Sequence, residues 1–179
     1  NGLFSRTELL PMVAAAQHDV VIERLVELLS STSLVTKRQL DPLRALDADG
    51  QRRAATALSE LLYGDVAMAT AMQRWIDALA TGRRGVSWQL ATAPLALIQP
   101  SEHLCIAHTI VAEQARWLAP HLVVKREPTG ALYVGLLQLG GRLVSELDAL
   151  DLHPRDLLDV HDFMWLTLRP AARKRIDVM

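Results

Sequence analysis

The sequence predicts a mainly α domain, a compact set of helices with at most one small two-stranded β element. Three observations carry this. Leucine and alanine dominate the composition, and both lose little side-chain freedom in a helix. Apolar residues recur three and four apart through most of the chain, the spacing that lines one helix face. Only two short stretches, "HLCIAH" (103–108) and "HLVVKRE" (121–127), have the β-branched, apolar look of strands.

The elements follow in order. Ser5 and Glu8 have the capping-box spacing, so a first helix starts there, disturbed by Pro11. In "DVVIERLVELLSS" (19–31), Val21, Leu25 and Leu28 run beside Ile22, Val26 and Leu29, with Glu23, Arg24 and Glu27 opposite. A loop and a short helix follow in 31–46, and then "DADG" (47–50), which has turn chemistry. "QRRAATALSELLYG" (51–64) is a helix with Ala54, Leu58, Leu61 and Leu62 on one face. Gly64 stands where a left-handed cap is wanted, and Asp65 caps the next helix, 66–82.

The "GRRG" stretch (82–85) reads as a linker. The expected organisation is an N-terminal helical part (1–81), a loop (82–87) and a C-terminal helical part with a basic tail (88–179), together one compact unit. "SWQLATAPLALIQP" is helical but interrupted by Pro94. "TIVAEQARWLA" is a helix between the two strand-like pieces. The longest helix is 130–150, with a stripe of Leu132, Leu136, Leu139, Leu143, Leu147 and Leu150; Gly140 and Gly141 inside it point to a close helix crossing. The last helix opens at Pro154, a residue suited to a first turn.

That last helix carries the sharpest chemical question. In "HPRDLLDVHDFMWLTL" (153–168) three aspartates lie three apart and a histidine adjoins the last. At 100° per residue, Leu157, Met164 and Leu168 share a face, with Val160 and Trp165 at its edges. Asp156, Asp159 and Asp162 form the opposite stripe. His161 falls within the apolar face, so it and Asp162 point apart and the expected histidine is a buried one bonded to backbone. The competing reading is a metal-dependent hydrolase using His161 with Asp159 and Asp162. The aspartate stripe has a further reading, an acidic contact surface for a basic partner segment.

Other chemistry is sparse. The net charge is −1, so no global field draws the chain to nucleic acid. The single cysteine, Cys105, excludes a disulfide framework and fits a reducing, cytoplasmic setting. No apolar run approaches the roughly 20 residues of a membrane helix. The start, "NGLFSRTELLPM", lacks the layout of a signal peptide, and its Asn suggests an excised piece. No nucleotide loop or nucleophile elbow occurs, and no cofactor is expected.

Basic residues are grouped. Lys37, Arg38 and Arg44 precede "DADG", and Arg52 and Arg53 open the helix after it, an arrangement that mimics a helix-turn-helix presenting its second helix to DNA. Arg83 and Arg84 sit in the linker. Arg169, Arg173, Lys174 and Arg175 make the tail the most basic segment, either a partner-binding arm or one that folds back on the aspartates.

The order of six motifs resembles a set of long, largely uncharacterised bacterial proteins. They read here "LLYG" (61–64), "QRWIDAL" (73–79), "WQLATAPLALIQP" (88–100), "HLCIAHTIV" (103–111), "LYVGLLQL" (132–139) and "HPRDLLDVHDFMW" (153–165). The chain departs from the family at Ala107-His108, where a Lys-Pro pair is usual, and at His161-Asp162, where Gln-Ser is usual. The resemblance implies a helical domain and a DNA-handling or restriction-like context, with no transferable reaction. The expectation is therefore a non-catalytic interaction domain in a DNA-processing or defence system, with a protein or nucleic-acid partner and no membrane. A homodimer built on the glycine-containing leucine helix is the third alternative.

Overall fold

The apolar periodicities become nine α-helices, and no strand, in a computed structural model that describes residues 2–80, 85–169 and 171–172. The helices are α1 (Arg6–Ala14), α2 (His18–Ser30), α3 (Asp41–Arg44), α4 (Ala48–Tyr63), α5 (Met68–Leu79), α6 (Trp88–Ile98), α7 (His108–Leu118), α8 (Gly130–Ala149) and α9 (Leu157–Leu168). α4 is central to the first half and packs on α1, α2 and α5. α5 in turn packs along α8, while α9 lies on α6, α7 and α8.

The core is mainly leucine and alanine with four large rings, Phe4, Trp75, Trp88 and Tyr133. Leu25, Leu29, Leu58, Met72, Leu79, Leu95 and Leu136 are fully enclosed, each contributing about 1.5–3 kcal/mol through burial. Trp75 and Trp88 are enclosed too, and their polar ends are satisfied. The Trp75 indole N–H donates to the Ala91 carbonyl at 2.9 Å, and that of Trp88 to the Lys125 carbonyl at 2.8 Å. Trp75 thereby joins α5 to α6 across the 82–87 stretch.

Several local expectations change. "DADG" is the start of α4 rather than a turn before it: Asp47 is the N-cap, and its carboxylate accepts from the Gly50 N–H at 2.8 Å. Ser5 holds the N-cap position of α1, but its hydroxyl contacts Thr7 and caps nothing. The backward bond of a capping box is found instead at Thr36–Gln39, where the Gln39 side chain accepts from the Thr36 N–H at 2.7 Å. α5 begins after Ala67 with no side-chain cap, so Asp65 does not cap it. Pro11 and Pro94 both lie inside continuous helices. Pro154 lies ahead of α9, whose N-cap is Asp156.

Gly64 is extended (φ −84°, ψ 167°), not left-handed. Its reason is space: a Cβ there would sit 2.6 Å from the Glu60 carbonyl oxygen. The close helix crossing is likewise displaced. A Cβ on Gly141 would meet nothing and one on Gly140 would touch Leu104, but one on Gly130 would lie 1.8 Å from the Ala69 carbonyl oxygen. Gly130 opens α8 against α5, and its N–H donates to the Gln73 side chain at 3.0 Å. Further along α8, Leu136, Leu139, Leu143 and Leu147 are buried together with Tyr133, whereas Leu150 is 69% exposed. The face that suggested a homodimer is therefore covered within the chain.

Neither strand-like piece forms a strand: 103–107 and 122–125 have no regular secondary structure, His108 begins α7, and 126–127 is a bend. Residues 103–107 are buried on every side, and side chains satisfy their backbone where a neighbouring strand would have done so. The Ile106 N–H donates to Thr92 Oγ1 at 2.9 Å, and the Cys105 carbonyl accepts from His161 Nδ1–H at 2.9 Å. The second piece is held by the Trp88 bond to Lys125 and by His108 Nε2–H, which donates to the Val124 carbonyl at 3.2 Å. Among the described residues no helix is long and apolar enough to cross a membrane.

Candidate functional site

α9 is seated from both ends of its first turn. The Asp156 carboxylate accepts from the N–H groups of Leu158 (2.9 Å) and Asp159 (3.1 Å), two donors the helix start leaves unpaired. Arg155 grips Asp159 through Nε and Nη2, each at 2.9 Å, and its own backbone N–H donates to the same carboxylate. These bonds hold the Asp159 carboxyl down to about 2. The Leu157 N–H donates to the Pro100 carbonyl at 2.9 Å.

On the inner side, His161 is 6% exposed, and its ring bonds the Cys105 carbonyl as the helical rotation required. Asp162 is exposed and has no hydrogen bond or ion pair among the described residues. So the three aspartates do different things: Asp156 caps, Asp159 pairs with Arg155, and Asp162 stands free. His161 points into the core and Asp162, about 100° round the helix, into solvent. Among the described residues no three His, Cys, Asp or Glu side chains converge to hold a metal ion.

The buried segment carries two more titratable groups. Burial pushes the Cys105 thiol up to about 12, which leaves it in the unreactive protonated form near neutrality. His103 is 1% exposed, shares a 3.1 Å hydrogen bond with the Tyr133 hydroxyl, and stacks on that ring. Burial lowers its pKa to about 4. An unfolded chain binds a proton at His103 below about pH 6.5, whereas the native ring does not until about 4. The stability from a neutral ring is thus fully present above pH 6.5 and is lost as pH falls towards 4, about 3 kcal/mol in all. Urea unfolding at pH 7 and pH 4.5 is expected to show this loss, and His103→Phe to flatten the slope.

Of the basic candidates, Arg52, Arg53 and Arg169 lie among the described residues. Arg52 and Arg53 sit in the second turn of α4, because the helix begins at Ala48, and both bond Asp49. They line a groove of about 400 Å³ between α4 and α5 that also holds Arg74, Glu60 and Asp77. Arg74 is paired with Glu60 at 2.9 Å, so three arginines face three carboxylates and little net field remains. The Arg52 and Arg53 side chains are both more than half exposed near the start of α4, where Asp49 offsets their charge. Arg169 follows α9 and is exposed. Arg83, Arg84, Arg173, Lys174 and Arg175 lie outside the described residues.

Sequence reading missed an apolar surface where α8 ends and α9 turns outward. Leu150 (69%), Leu152 (59%), Leu166 (58%) and Trp165 (42%) are exposed there. Two of them, Leu152 and Leu166, line a groove of about 310 Å³ with Leu147, Pro154 and Phe163, and Asp159 and Asp162 also border it. The connecting loop is held in unusual backbone. Asp151 (φ 61°) and His153 (φ 40°) are left-handed, and the His153 ring lies between Asp148 (3.2 Å) and Asp151 (2.8 Å). Those two carboxylates raise the His153 pKa. Trp117 and Val123, near the end of α7, are also exposed.

Comparison with protein-family models, with curated proteins and with solved structures gives no match.

Proposed function

We propose that this chain is a non-catalytic helical interaction domain that holds a protein partner on the α8–α9 face. One observation carries the reading: Leu152 and Leu166, both exposed, line a formed groove with Leu147, Pro154 and Phe163, and Trp165 exposes further apolar surface on the same helix as Leu166. Exposed apolar clusters rimmed by polar groups mark contact sites, because burying them against a partner releases the cost of hydrating them. The inward turn of His161 and the enclosed Cys105 thiol support a structural role for the two residues best suited to catalysis. The pairing of Arg52 and Arg53 with Asp49 and of Arg74 with Glu60 around the α4–α5 groove favours a protein partner over nucleic acid. The resemblance supplies the context, a DNA-processing or defence assembly in which such a domain joins components.

Site-specific photo-cross-linking in cells tests this. A reactive residue at Leu152 or Leu166 is expected to yield a discrete adduct, and one at exposed Ala131 to yield none. The absence of adducts at 152 and 166, or equal yield at 131, contradicts the reading.

A further inference from the structure

The α8–α9 face has a charge as well as a shape. From Arg142 to Arg169 the chain carries six carboxylates (Glu146, Asp148, Asp151, Asp156, Asp159 and Asp162) against three arginines. Among the described residues Glu146 and Asp162 have no hydrogen bond or ion pair, and of the two only Asp162 borders the groove. Residues three and four apart are surface neighbours on a helix, so Asp162 stands beside Trp165 and Leu166. An unpaired carboxylate next to an indole 42% exposed offers a cation both an ion pair and a ring face. The groove lined by Leu152, Phe163 and Leu166 lies on the other side of the same carboxylate.

Building on the interaction reading above, we infer that the occupant of this face is a basic amphipathic helix of a partner protein. Its apolar stripe fills the groove between Leu152 and Leu166, and a flanking lysine or arginine meets Asp162 and Trp165. Such a helix presents apolar residues at i, i+3, i+4 and i+7 with cations beside them, which matches an apolar groove with an acidic rim. A partner of the opposite charge would set like charges against Asp162 and the paired acids around it.

The probe is a synthetic amphipathic peptide of about 18 residues with leucines at that spacing and lysines on its flanks, compared with a twin bearing glutamates for the lysines. Binding is followed by NMR of the Trp165 indole in the full chain. The lysine peptide is expected to shift that signal and the glutamate twin to leave it in place. Asp162→Lys is expected to weaken binding about tenfold, and Leu166→Ser by a similar factor, with the fold unchanged because both side chains are exposed. Equal binding of the two peptides overturns the inference. So does binding that leaves Trp165 unshifted, or a face blocked until the residues after Arg169 are removed. A chain whose self-association buries Leu166 and excludes both peptides overturns it too. Adducts at 152 and 166 together with charge-blind peptide binding would remove the basic helix alone and leave the interaction reading standing.

Discussion

Gly130→Ala is expected to cost at least about 4 kcal/mol, enough to leave the chain largely unfolded. The added methyl would lie 1.8 Å from the Ala69 carbonyl oxygen and 2.9 Å from the Gln73 N–H nitrogen. Both obstacles are backbone of α5, so no rotamer change relieves them. α8 must move away from α5, and the packing between these helices and the bond from Gly130 to Gln73 are lost together. Gly141→Ala, in the same helix with open space around it, is expected to be neutral or slightly stabilising. Urea unfolding of the two variants side by side checks the contrast.

His161→Ala is the second large effect, about 4 kcal/mol. It leaves a cavity under α9 and strips the Cys105 carbonyl of its donor in a fully enclosed place. The bond links α9 to the buried 103–107 segment, so the loss is expected to loosen both. Asp162→Asn, one residue away, is expected to change stability by less than about 0.5 kcal/mol, since that carboxylate is exposed and unpaired among the described residues. A metal centre shared by His161 and Asp162 would make the two substitutions act alike on bound metal. They are expected to differ, His161→Ala loosening the fold and Asp162→Asn leaving it intact.

Helix type and most core faces were legible because period and burial agree. Ala54, Leu58, Leu61 and Leu62 are all buried or nearly so, and Val21, Ile22, Leu25 and Leu29 are enclosed. The orientation of His161 followed from rotation alone. What stayed hidden depended on contacts distant in sequence. "HLCIAH" has strand composition, but its donors and acceptors are met by Thr92 and His161, whose proximity no local pattern reveals. Gly130 looked like a helix start, and only the approach of α5 makes it indispensable. Leu150 fitted the α8 stripe by spacing, yet the helix ends at Ala149 and the chain turns away, leaving it in solvent. Arg52 and Arg53 seemed a free basic tip because "DADG" resembles a turn, whereas Asp47 caps the helix and Asp49 binds both arginines. The candidate surface was half visible, through the aspartates; of its apolar half, spacing put Leu150 on the α8 stripe and Trp165 at the edge of the α9 face, and it did not single out Leu152 and Leu166.

The central claim is that α9 is seated by an inward histidine, so that its free acid and apolar groups face a partner. NMR of the His161 imidazole tests it most directly. The account predicts an Nδ1–H that exchanges slowly with solvent, couples to the Cys105 carbonyl, and is unmoved by added zinc or manganese. A fast-exchanging ring proton, or a His161 signal that shifts together with Asp159 and Asp162 on metal addition, would contradict it.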